Sequence, residues 1–206
     1  QAFLNSRFAE MQCFSGDMVV RTLNGIKMIK DLSIGDQVLS VEDNIVSYST
    51  VIMFLHRDEV TMTNFNVITT DTGDSVKLTD DHLIYVSNCI EKNRLIRAKD
   101  VTVGDCLTVH QKNQIHFTKV TNVTTMTEPG FYSPLTASGD IIVNNLLSSC
   151  HSNLAVKTLQ QTFFVFHRRL IQTMEYFLPN WMTINDEKDL PMGVEYLTTV
   201  LDLFVP

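Results

Sequence analysis

The chain has 206 residues, a net charge of −7, 44% hydrophobic residues and 19% charged residues. That bounds it to one large domain, or a domain with an appendage, and excludes a disordered chain. No run of eighteen apolar residues spans a membrane, and the acidity speaks against nucleic acid as a partner, because phosphate binding needs clustered Lys and Arg.

The chain opens on Gln1 without the apolar core of a signal peptide, which reads as a piece of something longer. Residues 1–12 form a polar, helix-like leader. From Cys13 to about Asn145 the pattern is that of short strands: Met18-Val19-Val20, Gly35 to Val41, Tyr48 to Phe54, Phe65 to Thr69 and Val76 to Leu78. Asn24-Gly25, Asp43-Asn44 and Asp71-Thr72-Gly73-Asp74 separate them as turns. Many short strands predict a mainly β, closed or strongly twisted sheet. Within it lies an internal repeat. Lys30-Asp31-Leu32-Ser33-Ile34-Gly35-Asp36 matches Lys99-Asp100-Val101-Thr102-Val103-Gly104-Asp105, 69 residues on, and Ser49-Thr50-Val51 matches Thr118-Lys119-Val120 at the same offset. Gly73-Asp74 matches Gly139-Asp140 at 66, so one indel intervenes. Two copies are too few for a solenoid, and a duplicated β unit about a pseudo-two-fold is the expected architecture.

After Cys150 the texture changes. Leu154, Leu159, Phe163, Phe166, Leu170, Met174 and Phe177 recur at helical steps, Pro179 follows, and Val194, Leu197, Val200, Leu201 and Phe204 mark a second helix. The aromatic weight here, with Phe163, Phe166, Tyr176, Phe177 and Trp181, suits either helix-on-helix packing or a cleft for an apolar molecule.

Four cysteines, Cys13, Cys89, Cys106 and Cys150, are widely and irregularly spaced, which excludes a dense disulfide scaffold and gives no zinc pattern, so no metal is expected. Cys13 at a strand start reads as a buried small hydrophobe or as a nucleophile. Thr79-Asp80-Asp81-His82 follows a strand, and its His supplies a proton near neutral pH, making Cys13 and His82 a candidate nucleophile–base couple.

Cys13-Phe14-Ser15-Gly16-Asp17, the repeated Gly-Asp elements, Thr79-Asp80-Asp81-His82, Gly130-Phe131-Tyr132-Ser133-Pro134-Leu135-Thr136 and Ile141-Ile142-Val143-Asn144-Asn145…Ser149-Cys150 together resemble the Hint (hedgehog/intein) module. The narrower likeness is to the autoprocessing region of Hedgehog-related proteins of the Warthog and Groundhog group. The resemblance runs in order from Cys13 to Cys150. It implies three segments: 1–12 as the end of an upstream passenger, 13–150 as the autoprocessing domain, and 151–206 as a helical sterol- or adduct-recognition region. It implies self-cleavage, in which the Cys13 thiolate attacks the Gln12 carbonyl and turns the amide into a thioester. His82 is then expected as general acid at the Cys13 nitrogen, and Thr79 as the residue that orients His82 or binds the scissile amide. A sterol or other lipid alcohol is the implied second substrate, esterified to the upstream fragment, with no cofactor for the acyl shift. Phe163, Phe166, Tyr176, Phe177 and Trp181 are the implied lipid contacts, membrane association runs through the tail, and the setting is the secretory pathway or cell exterior of a developmental lipoprotein.

The chain departs from the family in having Gln12 where Gly is usual and His56 where an Asp serves as base for the sterol hydroxyl. His56 is expected in that role, with Asp58 on the same strand face as reserve. Cys150 stands where the family has a Cys, implying either a disulfide with Cys13 or assistance in thiol exchange. Cys89 and Cys106 match no family role and are read as buried structural thiols. Hydrolysis of the thioester without lipid transfer, an intein-like splicing element, and a non-catalytic lipid- or protein-binding β module are the alternatives. Splicing fits least, because the chain runs on into helices.

Overall fold

A computed structural model describes residues 12–42, 45–90, 94–112 and 114–150. The helical tail predicted over 151–206, with its five implied lipid contacts, lies outside the described residues, as does the 1–11 leader. Among the described residues, alternation of β-branched and polar residues produces eleven strands: β1 Val19–Thr22, β2 Gly25–Met28, β3 Gln37–Glu42, β4 Ile45–Thr70, β5 Ser75–Leu78, β6 Leu83–Ser87, β7 Arg94–Arg97, β8 Cys106–Gln111, β9 Gln114–Thr136, β10 Asp140–Val143 and β11 Leu146–Ser149. They join in the order β10-β1-β3-β4-β9-β8-β11-β6-β7, with β2 on β1 and β5 on β4. All pairings between named strands are antiparallel. Among the described residues no helix is long and apolar enough to cross a membrane.

The duplication extends to individual bonds. Short 3-10 turns occupy Ile29–Asp31 and Ala98–Asp100. The Gly35 N–H bonds the Val51 carbonyl at 2.8 Å, as the Gly104 N–H bonds that of Val120 at 2.9 Å. Gly35 and Gly104 sit at φ +92° and +103°, where a side chain is strained, which is why glycine marks both copies. The Asp that follows each accepts the Ser33 or Thr102 N–H at 2.8 Å. Across the axis β4 pairs with β9 so that Val51 faces Thr136 and Thr70 faces Val120, each the image of the other.

The correspondence reaches the leading segment of each copy with a different offset. Met18 accepts the Ile29 N–H at 2.8 Å through its carbonyl, and His82 accepts that of Ala98 at 2.8 Å. Gly16 accepts from Lys30 as Asp80 accepts from Lys99. Phe14 and Leu78 form a bridge between these leading segments.

Two expectations are corrected here. The strands predicted at 48–54 and 65–69 are one strand, because the polar stretch between them pairs with β9 as a two-stranded ribbon whose register shifts at Phe54/His56 and Asp58/Met62. Bulges of this kind break strict alternation, so the stretch does not read as strand. Cys89 and Cys106 are not separate thiols but a disulfide, with Cα atoms 5.2 Å apart. Pairing of Ser87 with Cys106 brings β6 onto β8, and Cys89, at φ +71°, turns the chain back toward it. Replacing both with serine is expected to lower unfolding free energy by about 3 kcal/mol, the value for a loop of this size, read as a lower urea midpoint.

Candidate functional site

Cys13 and Phe14 join the sheet through an isolated bridge rather than a strand. The Phe14 N–H bonds the Tyr132 carbonyl at 2.8 Å, and the Tyr132 N–H returns to the Phe14 carbonyl at 3.0 Å. The Phe14 side chain is fully buried, an anchor of about 1.5–3 kcal/mol that fixes its neighbour Cys13. Thr79 then holds Cys13 at both backbone polar atoms. The Cys13 N–H donates to Thr79 Oγ1 at 2.9 Å, and the Thr79 N–H donates to the Cys13 carbonyl at 3.0 Å. Of the two roles predicted for Thr79, the structure therefore displays contact with the Gln12–Cys13 amide.

The Cys13 thiol is 0% exposed and clusters with Phe65 and Phe131. Burial among these rings pushes its pKa far above the ordinary thiol range. The resting group is thus a neutral thiol, so attack as the thiolate that the resemblance implies needs a proton acceptor.

His82 ends the turn that begins at Thr79, closed by the His82 N–H on the Thr79 carbonyl at 3.1 Å. Its ring meets that of Phe14 edge-on, with centroids 4.3 Å apart. Its Nε2 lies 2.9 Å from the Ser149 carbonyl oxygen. A carbonyl only accepts, so Nε2 carries the hydrogen and Nδ1 keeps the lone pair. Nδ1 is buried and meets no hydrogen-bond partner among the described residues. Burial lowers the imidazole pKa to about 4, partly countered by the Ser149 bond, so the ring is neutral at pH 7.

Cys150 does not pair with Cys13: both are buried thiols outside any disulfide. The Cys150 Sγ lies 3.5 Å from Thr136 Oγ1, and its N–H bonds the Gly139 carbonyl at 2.9 Å. What this end of the chain gives His82 is the backbone carbonyl of Ser149, one residue earlier. No side-chain motif announces a carbonyl, which is why sequence reasoning passes over it.

His56 sits on β4 beside a register shift, opposite Ser133, with its ring 6.5 Å from that of Phe131. Phe131 belongs to the same buried cluster as Cys13. Burial lowers the His56 pKa, leaving a neutral base. Asp58 is otherwise engaged. Its carboxylate accepts the Val60 N–H, the Thr61 N–H and the Thr61 hydroxyl, each at 2.8 Å, and these bonds hold it below the usual carboxylate range. A stabilised carboxylate is a poorer base, which removes the case for Asp58 as reserve.

Sequence reasoning also misses a polar clamp on the segment that follows Cys13. Lys77 Nζ bonds Asp17 at 2.7 Å and Glu128 at 2.6 Å, and the Ser15 hydroxyl lies 2.7 Å from each of those carboxylates. This ties the Ser15–Asp17 segment to β5 and β9. An adjoining cavity of about 560 Å³ is lined by Asp17, Asp31, Glu59, Glu128, Lys30 and Tyr132 among others, a wall too charged to suit an apolar ligand.

The sequence profile of the Hint module matches residues 5–201. Warthog protein 6 of Caenorhabditis elegans is 52% identical over 199 residues, covering 95% of this chain and 33% of its own length. Indian hedgehog B protein of Danio rerio is 37% identical over 154 residues, covering 68% of this chain and 37% of its own. The chain thus spans about a third of the length of these relatives. Among solved structures, a DnaB intein from Synechocystis sp. PCC 6803 superposes with a TM-score of 0.57 at 12% identity, over 68% of this chain and 98% of the intein. At that identity the likeness speaks to the fold alone.

Proposed function

Because the chain belongs to the Hint module family, we propose that it cuts itself between Gln12 and Cys13 and hands the upstream fragment to a lipid alcohol. The observation that carries this reading is the double backbone hold of Thr79 on a buried Cys13, in the same turn that carries a neutral His82 whose Nδ1 meets no partner among the described residues. His82 Nδ1 takes the Sγ proton as sulfur adds to the Gln12 carbonyl carbon. The same proton then passes to the Cys13 nitrogen as the C–N bond breaks, leaving a thioester and a free amine. No net proton is lost, and the poor amide leaving group departs as an amine.

In the second step the alcohol oxygen adds to the thioester carbonyl, His56 accepts the hydroxyl proton, and Sγ leaves. A sterol is the alcohol proposed, with Phe163, Phe166, Tyr176, Phe177 and Trp181 as its apolar contacts and the membrane as its source. The charged cavity beside Tyr132 supports looking to the tail for that contact. His56 as a neutral base serves water as well as an alcohol, which keeps thioester hydrolysis as the second reading. The Cys89–Cys106 disulfide supports a secretory setting, since such bonds persist in oxidising compartments.

Hydroxylamine tests the first step on the 206-residue chain, because it captures thioesters without reducing the disulfide. Release of residues 1–12 as the hydroxamate is expected by intact-mass spectrometry. A chain left whole by hydroxylamine and by excess thiol overturns the proposal. Adding cholesterol in detergent is expected to shift the released leader by the mass of the sterol ester, and a leader released only as the free acid assigns hydrolysis instead.

A further inference from the structure

We infer that Gln12 is a positioning residue, its carboxamide docking on the turn that carries the histidine and so setting the scissile carbonyl for attack. This rests on the reading that Gln12–Cys13 is the bond cut. The Gln12 side chain is not a solvent-facing tail: the residue is 7% exposed, and its Nε2 donates to the Asp81 carbonyl at 2.6 Å. Asp81 lies between Thr79 and His82, in a turn that is itself held fast. The Lys99 N–H bonds the Asp80 carbonyl at 3.0 Å, the Ala98 N–H bonds the His82 carbonyl at 2.8 Å, and the Asp81 carboxylate pairs with Lys99 at 2.8 Å and Arg97 at 3.4 Å.

One four-residue turn therefore does three things. Thr79 Oγ1 holds the nitrogen side of the scissile peptide, the Asp81 carbonyl holds the residue on its acyl side, and His82 stands ready for the proton. Two points of hold on either side of a peptide fix the tilt of its plane, which a single hold leaves free to rotate. Restricting that rotation keeps the carbonyl carbon in the arc where sulfur attacks, an orientational gain made before any bond changes. A glycine at position 12 has no atom to reach Asp81, so this chain has a side-chain requirement on the acyl side that a glycine junction lacks. The requirement is specific: a donor at the end of a three-carbon reach. Methionine has the reach without the donor. Glutamate has the shape, but as a carboxylate it only accepts and turns a negative charge on a carbonyl oxygen.

The test compares hydroxylamine release of the leader from the wild-type chain, Gln12→Glu and Gln12→Met. Both variants are expected to release it about 10- to 100-fold more slowly at pH 7, the scale of one lost buried hydrogen bond, while still unfolding cooperatively at a somewhat lower thermal midpoint. The ratio of Gln12→Glu to wild type is expected to climb as pH falls below about 4.5, where a protonated carboxyl regains a donor, while Gln12→Met stays slow. Wild-type rates in either variant at pH 7, or a Gln12→Glu ratio that does not move with pH, overturn the inference. If the junction itself is misassigned, the wild-type chain releases nothing, and that failure is distinct from either.

Discussion

Cys13→Ala is expected to leave the Gln12–Cys13 bond intact through prolonged incubation with hydroxylamine, thiol or sterol, read as a single unshifted mass. Alanine keeps the Cβ and deletes only the sulfur, leaving a one-atom void beside Phe65 and Phe131 that the fold tolerates while the nucleophile is gone. Cys13→Ser sharpens the point. Its hydroxyl holds its proton more tightly than a thiol in the same dry pocket, and the ester it forms is less reactive than a thioester. Serine is expected to give release slowed by about 10²-fold or more, still inhibited by loss of His82. Full-rate release from Cys13→Ala would mean that another group makes the cut.

His82→Ala is the second large effect: release is expected to fall by about 10²- to 10⁴-fold, the usual range for a lost acid–base group. His82→Gln separates chemistry from support, since its amide can still donate to the Ser149 carbonyl but lacks a basic nitrogen. It is expected to be nearly as slow as alanine. The pH profile checks the assignment of the base. Were the Cys13 thiolate the attacking species in free exchange with solvent, release would climb about tenfold per pH unit across neutrality, because burial puts the thiol pKa far above that range. With neutral His82 accepting the proton internally, release is expected to be flat from about pH 6 to 8. It then falls as pH drops toward the imidazole pKa of about 4, below which the ring is already protonated and cannot accept. A steep rise through neutrality sinks the His82 role.

Side chains with chemistry are legible in the sequence, and backbone groups are not. Cys13, Thr79 and His82 stand out because their motifs keep order and spacing; the fold sets Thr79 on the Cys13 backbone, and the turn from Thr79 carries the His82 ring against Phe14. The Ser149 carbonyl that sets the His82 tautomer carries no residue-type signature; it emerges only when β11 pairs with β6. The duplication is legible because a glycine at positive φ cannot be replaced cheaply, so Gly35 and Gly104 survive as markers. Strand β4 reads as two pieces because its ribbon segment pairs on one side only and exposes Val60 and Met62. The Cys89–Cys106 bond depends on β6–β8 register, a long-range property that spacing does not encode.

The pairing of Phe14 with Leu78 has a consequence for how many cuts such a molecule can make. Around that bridge the Thr79 N–H reaches the Cys13 carbonyl, and the Ser15 N–H reaches that of Lys77, so each bond is the other's image. Carried through, Cys13 answers to Lys77, Thr79 to Ser15, and His82 to Met18. A duplicated fold thus offers two places where the same scissors could form. On the proposed mechanism only the Cys13 copy has the side chains for it. In the other the blade is a lysine locked between Asp17 and Glu128, and the thioether of Met18 has no proton to trade. The symmetry that builds the scaffold is broken at these three side chains, so among the described residues the proposed cut has one copy to act from and not two.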